Sequence, residues 1–194
     1  MKRAFLVLVI LAVAVWAFRH SGSWLVVNDP EKSDALVVLA GDSNDVRYWR
    51  GMELLRQGYG QHMFLDASQD LTKYGETWAE RALEFVDKTA GDMKGRVTVC
   101  PIWGDSTKLE SKWIGKCLES VHPKSVIVVT SSDHTRRALS VMQSRLPQYQ
   151  WTAAAANDPY FYGERWWQSR EWAKTWLQET VRYAWWNVVD RWRK

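Results

Sequence analysis

Cysteine is nearly absent from this 194-residue chain, which has only Cys100 and Cys117. Neither has a nearby Cys or His partner at metal-ligand spacing, so no zinc site is expected. Cys100 ends a strand-like run and Cys117 lies inside a helix-like one. The sequence therefore favours two separate, partly buried thiols over a disulfide, which an oxidising compartment would still permit. Low-complexity tracts and blocks of like charge are also missing, which excludes a disordered chain. The net charge is only +4, with pI near 9.1. From Glu164 to Lys194, seven Lys/Arg face four Asp/Glu, so three of those four charges sit in the tail. The centre is close to neutral and lacks the basic stripe of a nucleic-acid binder. There is no GxGxxG or Walker loop, no nucleophile elbow and no HExxH, so a standard hydrolase is not supported.

Tryptophan is abundant: 14 residues, of which seven lie between Trp166 and Trp192. A long apolar run is also present. Lys2 and Arg3 precede an uncharged stretch from Ala4 to Phe18. These fifteen residues fall short of the roughly 20 that span a bilayer, but Arg19 can snorkel and Trp24-Leu25-Val26-Val27 resumes the apolar character. A buried core helix would be amphipathic, and this one is not. A cleaved signal peptide would use Val15-Trp16-Ala17 as its small-residue site. The bulky Trp16 and Phe18 favour an uncleaved anchor over residues 1–24. The positive-inside rule then places the N-terminus in the cytoplasm and the rest of the chain outside.

From Asp34 onward, short apolar runs alternate with amphipathic stretches. Strands are expected at 35–40, 62–67, 96–100, 125–130 and 151–155, with helices at 44–57, 73–89, 106–121 and 133–145. Apolar runs without strict alternation suit strands buried on both faces of a parallel sheet. The expected fold is a three-layer α/β/α Rossmann-like sandwich over residues 25–160, behind the N-terminal transmembrane helix. In such folds ligands bind beyond the carboxyl ends of the strands, where strand order reverses.

That rule directs attention to the loops after the strands. Gly41-Asp42-Ser43 can cradle an anion on backbone N–H groups, or form a plain turn with Ser43 or Asn44 as helix cap. Arg47, one helical turn inside, points back at such an anion or lies on the surface. Asp105 or Ser106 caps the next helix, with Glu110 on its first turn. VIVVTSSDHTRRAL (126–139) is the most heavily functionalised loop: Thr130, Ser131, Ser132, Asp133 and His134 precede Arg136 and Arg137. Histidine titrates near neutrality, and an arginine fork matches phosphate or carboxylate. The plainer alternative makes Asp133 a cap and leaves the arginines in solvent.

DALVVLAGD, the Arg47–Gly58 helix, DSTKLES and VTSSDHTRRA together resemble the ordered motifs of the YdcF-like family of membrane-anchored envelope proteins, the SanA and ElyC type. The resemblance covers about Leu25 to Arg145. VTSSDHTRRA carries most of it, with His134, Arg137 and Ala138 in register. Asp42 stands where the family usually has a second glycine, Asp66-Ala67-Ser68 where it has Ser-Gly-Gly, and Asp133 where an aromatic is common. The resemblance implies a single-pass protein of the bacterial inner membrane with its domain in the periplasm. It further implies a role in envelope biogenesis linked to peptidoglycan and its lipid carrier, with envelope-assembly proteins as partners. The family has no settled reaction or cofactor, although nucleotide-like and S-adenosylmethionine binding are associated with it. The expected ligand is a phosphorylated or nucleotide-like small molecule held by Gly41, Asp42, Ser43, Arg47, Thr107, Thr130, Ser131 and Arg137. If there is chemistry, it is phosphate-ester or pyrophosphate hydrolysis or transfer, with His134 as acid/base and Glu110 orienting a water or metal. The other readings are a non-catalytic scaffold that recruits envelope enzymes, and a cytosol-facing S-adenosylmethionine binder.

The tail, residues 161–194, lacks proline and has one glycine, Gly163, ahead of its helical stretch. It is expected to be one long Trp-rich helix. Either it closes a face of the sheet, or its last turns lie on a membrane surface, where Trp with Arg/Lys is favoured.

Overall fold

The computed structural model describes residues 2–41, 44–70, 72, 75–104 and 106–193, so the expected ligand residues Asp42 and Ser43 lie outside the described set. Helix α1 (Lys2–Leu25) is followed by β1 (Ala35–Val38), α2 (Val46–Arg56), β2 (His62–Ser68), α3 (Trp78–Thr89), β3 (Val97–Ile102), α4 (Thr107–Leu118), β4 (Ser125–Ser131), α5 (Thr135–Arg145), β5 (Gln150–Ala156) and α6 (Arg170–Trp185). The five strands are all parallel, in the order β3-β2-β1-β4-β5. Chain order reverses between β1 and β4.

Strand periodicity distributes the core between two faces. Ala35, Val37 and Leu39 of the first strand point to one side, with Phe64, Val126 and Val128, against Ile114 and Leu118 of α4 and Ala138 and Met142 of α5. Leu36 and Val38 point to the other, with Met63, Ile127 and Val129, against Met52 and Leu55 of α2 and Val86 of α3. All four residues of β1 are buried, which is why that run shows no polar alternation. Helix α2 approaches the sheet at Gly51, where a Cβ would lie 2.6 Å from Val38 Cγ2 and 2.8 Å from Met63 Sδ.

One expectation is corrected. The cysteines are not separate thiols: Cys100 and Cys117 form a disulfide, with Cα atoms 6.1 Å apart. Packing of α4 onto β3 brings the two together, a tertiary contact that local periodicity does not reveal. The tail packs on the rest of the domain. It consists of a short turn Trp166–Gln168, α6, and a π-helical turn Trp186–Asp190. Helix α6 packs on α1, on α5 and on the turn Ser132–His134.

Helix α1 is long and apolar enough to cross a membrane. Its residues up to His20 are exposed on all sides, whereas Gly22 and Leu25 are buried against the domain. Gly22 sits beneath the Glu164 carbonyl with no room for a Cβ, and its own carbonyl accepts from Tyr162 Oη at 2.7 Å. Phe18 meets Trp166 and Trp176 edge-on, and those two indoles stack with centroids 4.0 Å apart. Trp24 meets Tyr183. Contacts therefore advance from 18 to 24 on α1 while advancing from 176 to 183 on α6, so the two segments run side by side in the same sense. The end of the tail is tied instead to the first turn of α4, where Lys108 Nζ donates to the carbonyls of Asp190 and Arg193.

Candidate functional site

The loops that follow β1, β3 and β4 converge at the carboxyl edge of the sheet. Gly41 leaves β1 with φ of 89°, a left-handed conformation that favours glycine. The chain then enters α2, whose Arg47 turns back over the sheet. Its Nε donates to Ser131 Oγ at 2.9 Å, and its Nη1 donates to the carbonyls of Leu39 and Ala40. Arg47 thus closes the end of β1 onto the end of β4. Ser106 caps α4, accepting from Leu109 N, and aims Thr107 and Glu110 at the same edge. No side-chain hydrogen bond caps α5, so Asp133 is not spent on that role.

His134, Arg137 and Thr107 come together around a residue that the sequence reading did not name. Glu179 of α6 is only 4% exposed. It accepts from Arg137 Nε at 2.9 Å and from Nη2 at 3.0 Å, which is the bidentate fork geometry. Arg182 Nη1 adds a third bond at 3.0 Å, and His134 Nδ1 lies 3.3 Å away. The other imidazole nitrogen, Nε2, is 3.4 Å from Thr107 Oγ1, which also accepts from Arg137 Nη1 at 3.2 Å. The bonds close a ring. Arg137 donates to Thr107, the Thr107 hydroxyl donates to Nε2, and the Nδ1 proton goes to Glu179. This is the arrangement of a neutral imidazole.

The electrostatics agree with that assignment. Burial, aided by the Arg137 charge, pushes the His134 pKa down to about 4. Burial alone would raise Glu179, but the hydrogen bonds and charges of His134 and Arg137 overcome it and hold the carboxyl well below the usual range. Asp133 is pushed up to about 6 by burial and then by the Glu179 charge, which outweigh its own backbone N–H and the two arginines. Burial also raises Glu110, while Arg47 and Arg137 pull it back.

A second layer lies just beneath. Val38 pairs with Leu65 and with Val129, so the next residues, Asp66, Leu39 and Thr130, form one row across β2, β1 and β4. Strand alternation turns this row toward α4 and α5. Asp66 is 3% exposed and Thr130 fully buried, yet neither Asp66 oxygen nor Thr130 Oγ1 has a hydrogen-bond partner among the described residues. Burial, and then the charge of Glu110, holds the Asp66 carboxyl well above its ordinary value.

The structure thus gathers Arg47, Thr107, Glu110, Thr130, Ser131, His134 and Arg137 at one edge, near Gly41. It adds Glu179 and Asp66. The expected clamp of Arg47 and Arg137 on an anion is occupied from within, since the Arg137 fork holds the Glu179 carboxylate. The expected acid/base His134 is a hydrogen-bond relay with both nitrogens engaged. Signals for the two added residues existed. Glu179 falls on the stripe Trp176, Glu179, Tyr183, Trp186, spaced three, four and three apart, as a lone acid on an apolar face. Asp66 interrupts the apolar run HMFLDA where its neighbours on the same face are buried.

Fold and site define the class as a Rossmann-like α/β domain behind an apolar N-terminal helix, with a charged, buried cluster at its topological switch point. No protein-family model matches the chain, and no curated protein matches it.

Proposed function

We propose that the chain is a single-pass, membrane-anchored domain that faces the periplasm and binds a phosphorylated or nucleotide-like ligand at the carboxyl edge of its sheet. The observation that carries this reading is that Asp66 of β2 and Thr130 of β4, buried near the carboxyl ends of their strands, have no side-chain hydrogen-bond partner among the described residues, while the charged groups of the β1/β4 switch point gather at the same edge. Buried polar groups are nearly always hydrogen-bonded in native proteins, and an exception calls for a specific explanation such as a catalytic role or a bound water or ion. Two further features support the outward orientation: the Cys100–Cys117 disulfide, a bond of oxidising compartments, and the Lys2-Arg3 pair before the apolar run. The envelope role rests on the YdcF-like resemblance alone. Titrating the full chain in detergent with inorganic pyrophosphate and nucleoside diphosphates tests the ligand. Binding weakened at least tenfold by Arg137→Ala is expected, and no binding of any member overturns the reading. A complementation assay with His134→Ala and Arg137→Ala tests the pocket in the cell, where full activity of both variants would count against it.

A second reading, a non-catalytic scaffold, is favoured by one observation. Leu177, Val181, Trp185, Val188 and Trp192 form an exposed apolar stripe along the tail. Truncation after Trp185 separates the two readings. A scaffold loses function with ligand binding intact, whereas a ligand-dependent factor keeps both.

A further inference from the structure

Helix α1 leaves the domain with an apolar stripe that ends in cations. Leu8, Leu11, Val15 and Arg19 follow one another at intervals of three and four residues, so they share one face of the helix. With Ala12 beside them they floor an open groove of about 680 Å³. The facing wall comes from the domain, from Arg165 and Trp167, which flank the buried Trp166. Their position over α1 is fixed. Trp166 Nε1 donates to the Phe18 carbonyl at 3.3 Å, and the Glu164 carbonyl lies over Gly22 where no Cβ fits. The Arg19 guanidinium sits over the Trp167 ring, 5.1 Å from its centroid. Among the described residues, neither Arg19 nor Arg165 is ion-paired with a carboxylate, and no acid lines the groove.

We propose that this groove holds a diacyl phospholipid with an anionic headgroup, one acyl chain lying along Leu8, Leu11 and Val15 and the phosphate between Arg19 and Arg165. The inference rests on the membrane-anchored reading of α1 and is independent of any ligand at the sheet edge. Leu8 and Arg19 are eleven residues apart, about 16 Å along the helix axis. One leaflet contributes about 15 Å of hydrocarbon. The stripe therefore spans the leaflet next to the domain and brings Arg19 to headgroup depth, where Trp is enriched and Arg can snorkel. A guanidinium resting on an indole keeps its N–H edge for a phosphate. A zwitterionic headgroup carries its own cation to a rim that already has two. A second copy of this chain would bring two more arginines to the same rim. Charge complementarity selects the anionic lipid over both.

The test is native mass spectrometry of the full chain released from nanodiscs of equimolar phosphatidylglycerol and phosphatidylcholine with matched acyl chains. A basic side chain near an anionic lipid surface contributes a factor of roughly five. Wild type should therefore retain phosphatidylglycerol over phosphatidylcholine by about fivefold or more, as a single adduct. Arg19→Gln/Arg165→Gln should retain the two lipids equally. Ala12→Trp, which fills the floor of the groove and leaves both arginines in place, should lose the adduct. Melting curves of the variants confirm that they fold. Equal retention of the two lipids by wild type, a preference unchanged in the double variant, or undiminished retention in Ala12→Trp overturns the lipid site and leaves the anchor standing. A wild-type chain that fails to float with vesicles of the same two lipids overturns the anchor and the lipid site together.

Discussion

Replacing Glu179 by alanine removes the hub of the buried ring and leaves Arg137 without its carboxylate. The Arg137 side chain is 15% exposed and the Glu179 side chain 6%. Breaking a buried pair of this kind by deleting one partner costs roughly 3–5 kcal/mol, because the remaining charge stays desolvated. The Arg182 bond adds little, since that side chain is mostly in solvent. For a chain of this size, each kcal/mol lowers the melting temperature by roughly 2–4 °C, so a fall on the order of 10 °C is expected. Glu179→Gln keeps the shape but not the charge and should fall between variant and wild type. The assay is thermal melting of the full chain in detergent, followed by Trp fluorescence, because Trp176 and Trp186 flank Glu179 on one helix. The same variant should expose the segment before α6 to limited proteolysis near Gly163, since the helix loses its deepest attachment. A melting temperature within 2 °C of wild type, with unchanged proteolysis, would refute the view that Glu179 pins the tail into the site.

Three other outcomes follow from the geometry. Reducing the Cys100–Cys117 disulfide, which closes a loop of sequence separation 17, should destabilise by about 3 kcal/mol; dithiothreitol should lower the melting temperature of wild type and leave Cys100→Ser/Cys117→Ser unchanged. Asp133 binds its proton more tightly folded than unfolded, with about 6 against 3.8, so its stabilisation is full below pH 3.8 and is lost as pH rises through 6. Neutral His134 works in the opposite direction, its contribution disappearing as pH falls from 6.5 toward 4. Each shift is worth about 3 kcal/mol, so Asp133→Asn should gain stability relative to wild type by that amount between pH 4 and pH 7, read from urea midpoints. A constant difference across that range would count against the assignment. Gly51→Val drives two methyl groups into Val38 and Met63 and should cost at least 1–3 kcal/mol, measured by the same denaturation; a neutral effect would mean that α2 stands further from the sheet.

The sheet and its helices were legible because each strand is a short apolar run ended by a turn, and the boundaries differ from expectation by a few residues. The helix read at 73–89 begins only at Trp78, where Thr77 and Glu80 cap each other reciprocally, a T-x-x-E signal present in the sequence. What was hidden depends on contacts between distant parts of the chain. Cys100 and Cys117 meet only once α4 lies on β3, and Glu179 reaches His134 across 45 positions. The tail was read as one helix that either closes a face of the sheet or lies on a membrane surface. Trp166 and Trp176 pack with Phe18 and each other, and Trp186 reaches Ser140 of α5, but Trp185 and Trp192 stay exposed.

The register between α1 and α6 has a mechanical consequence. Between Trp176, which touches Phe18, and Tyr183, which touches Trp24, α6 carries Glu179. Aromatic contacts to α1 thus grip α6 one turn before and one turn after the acid, so α6 cannot slide along α1 without carrying Glu179 away from Arg137 and His134.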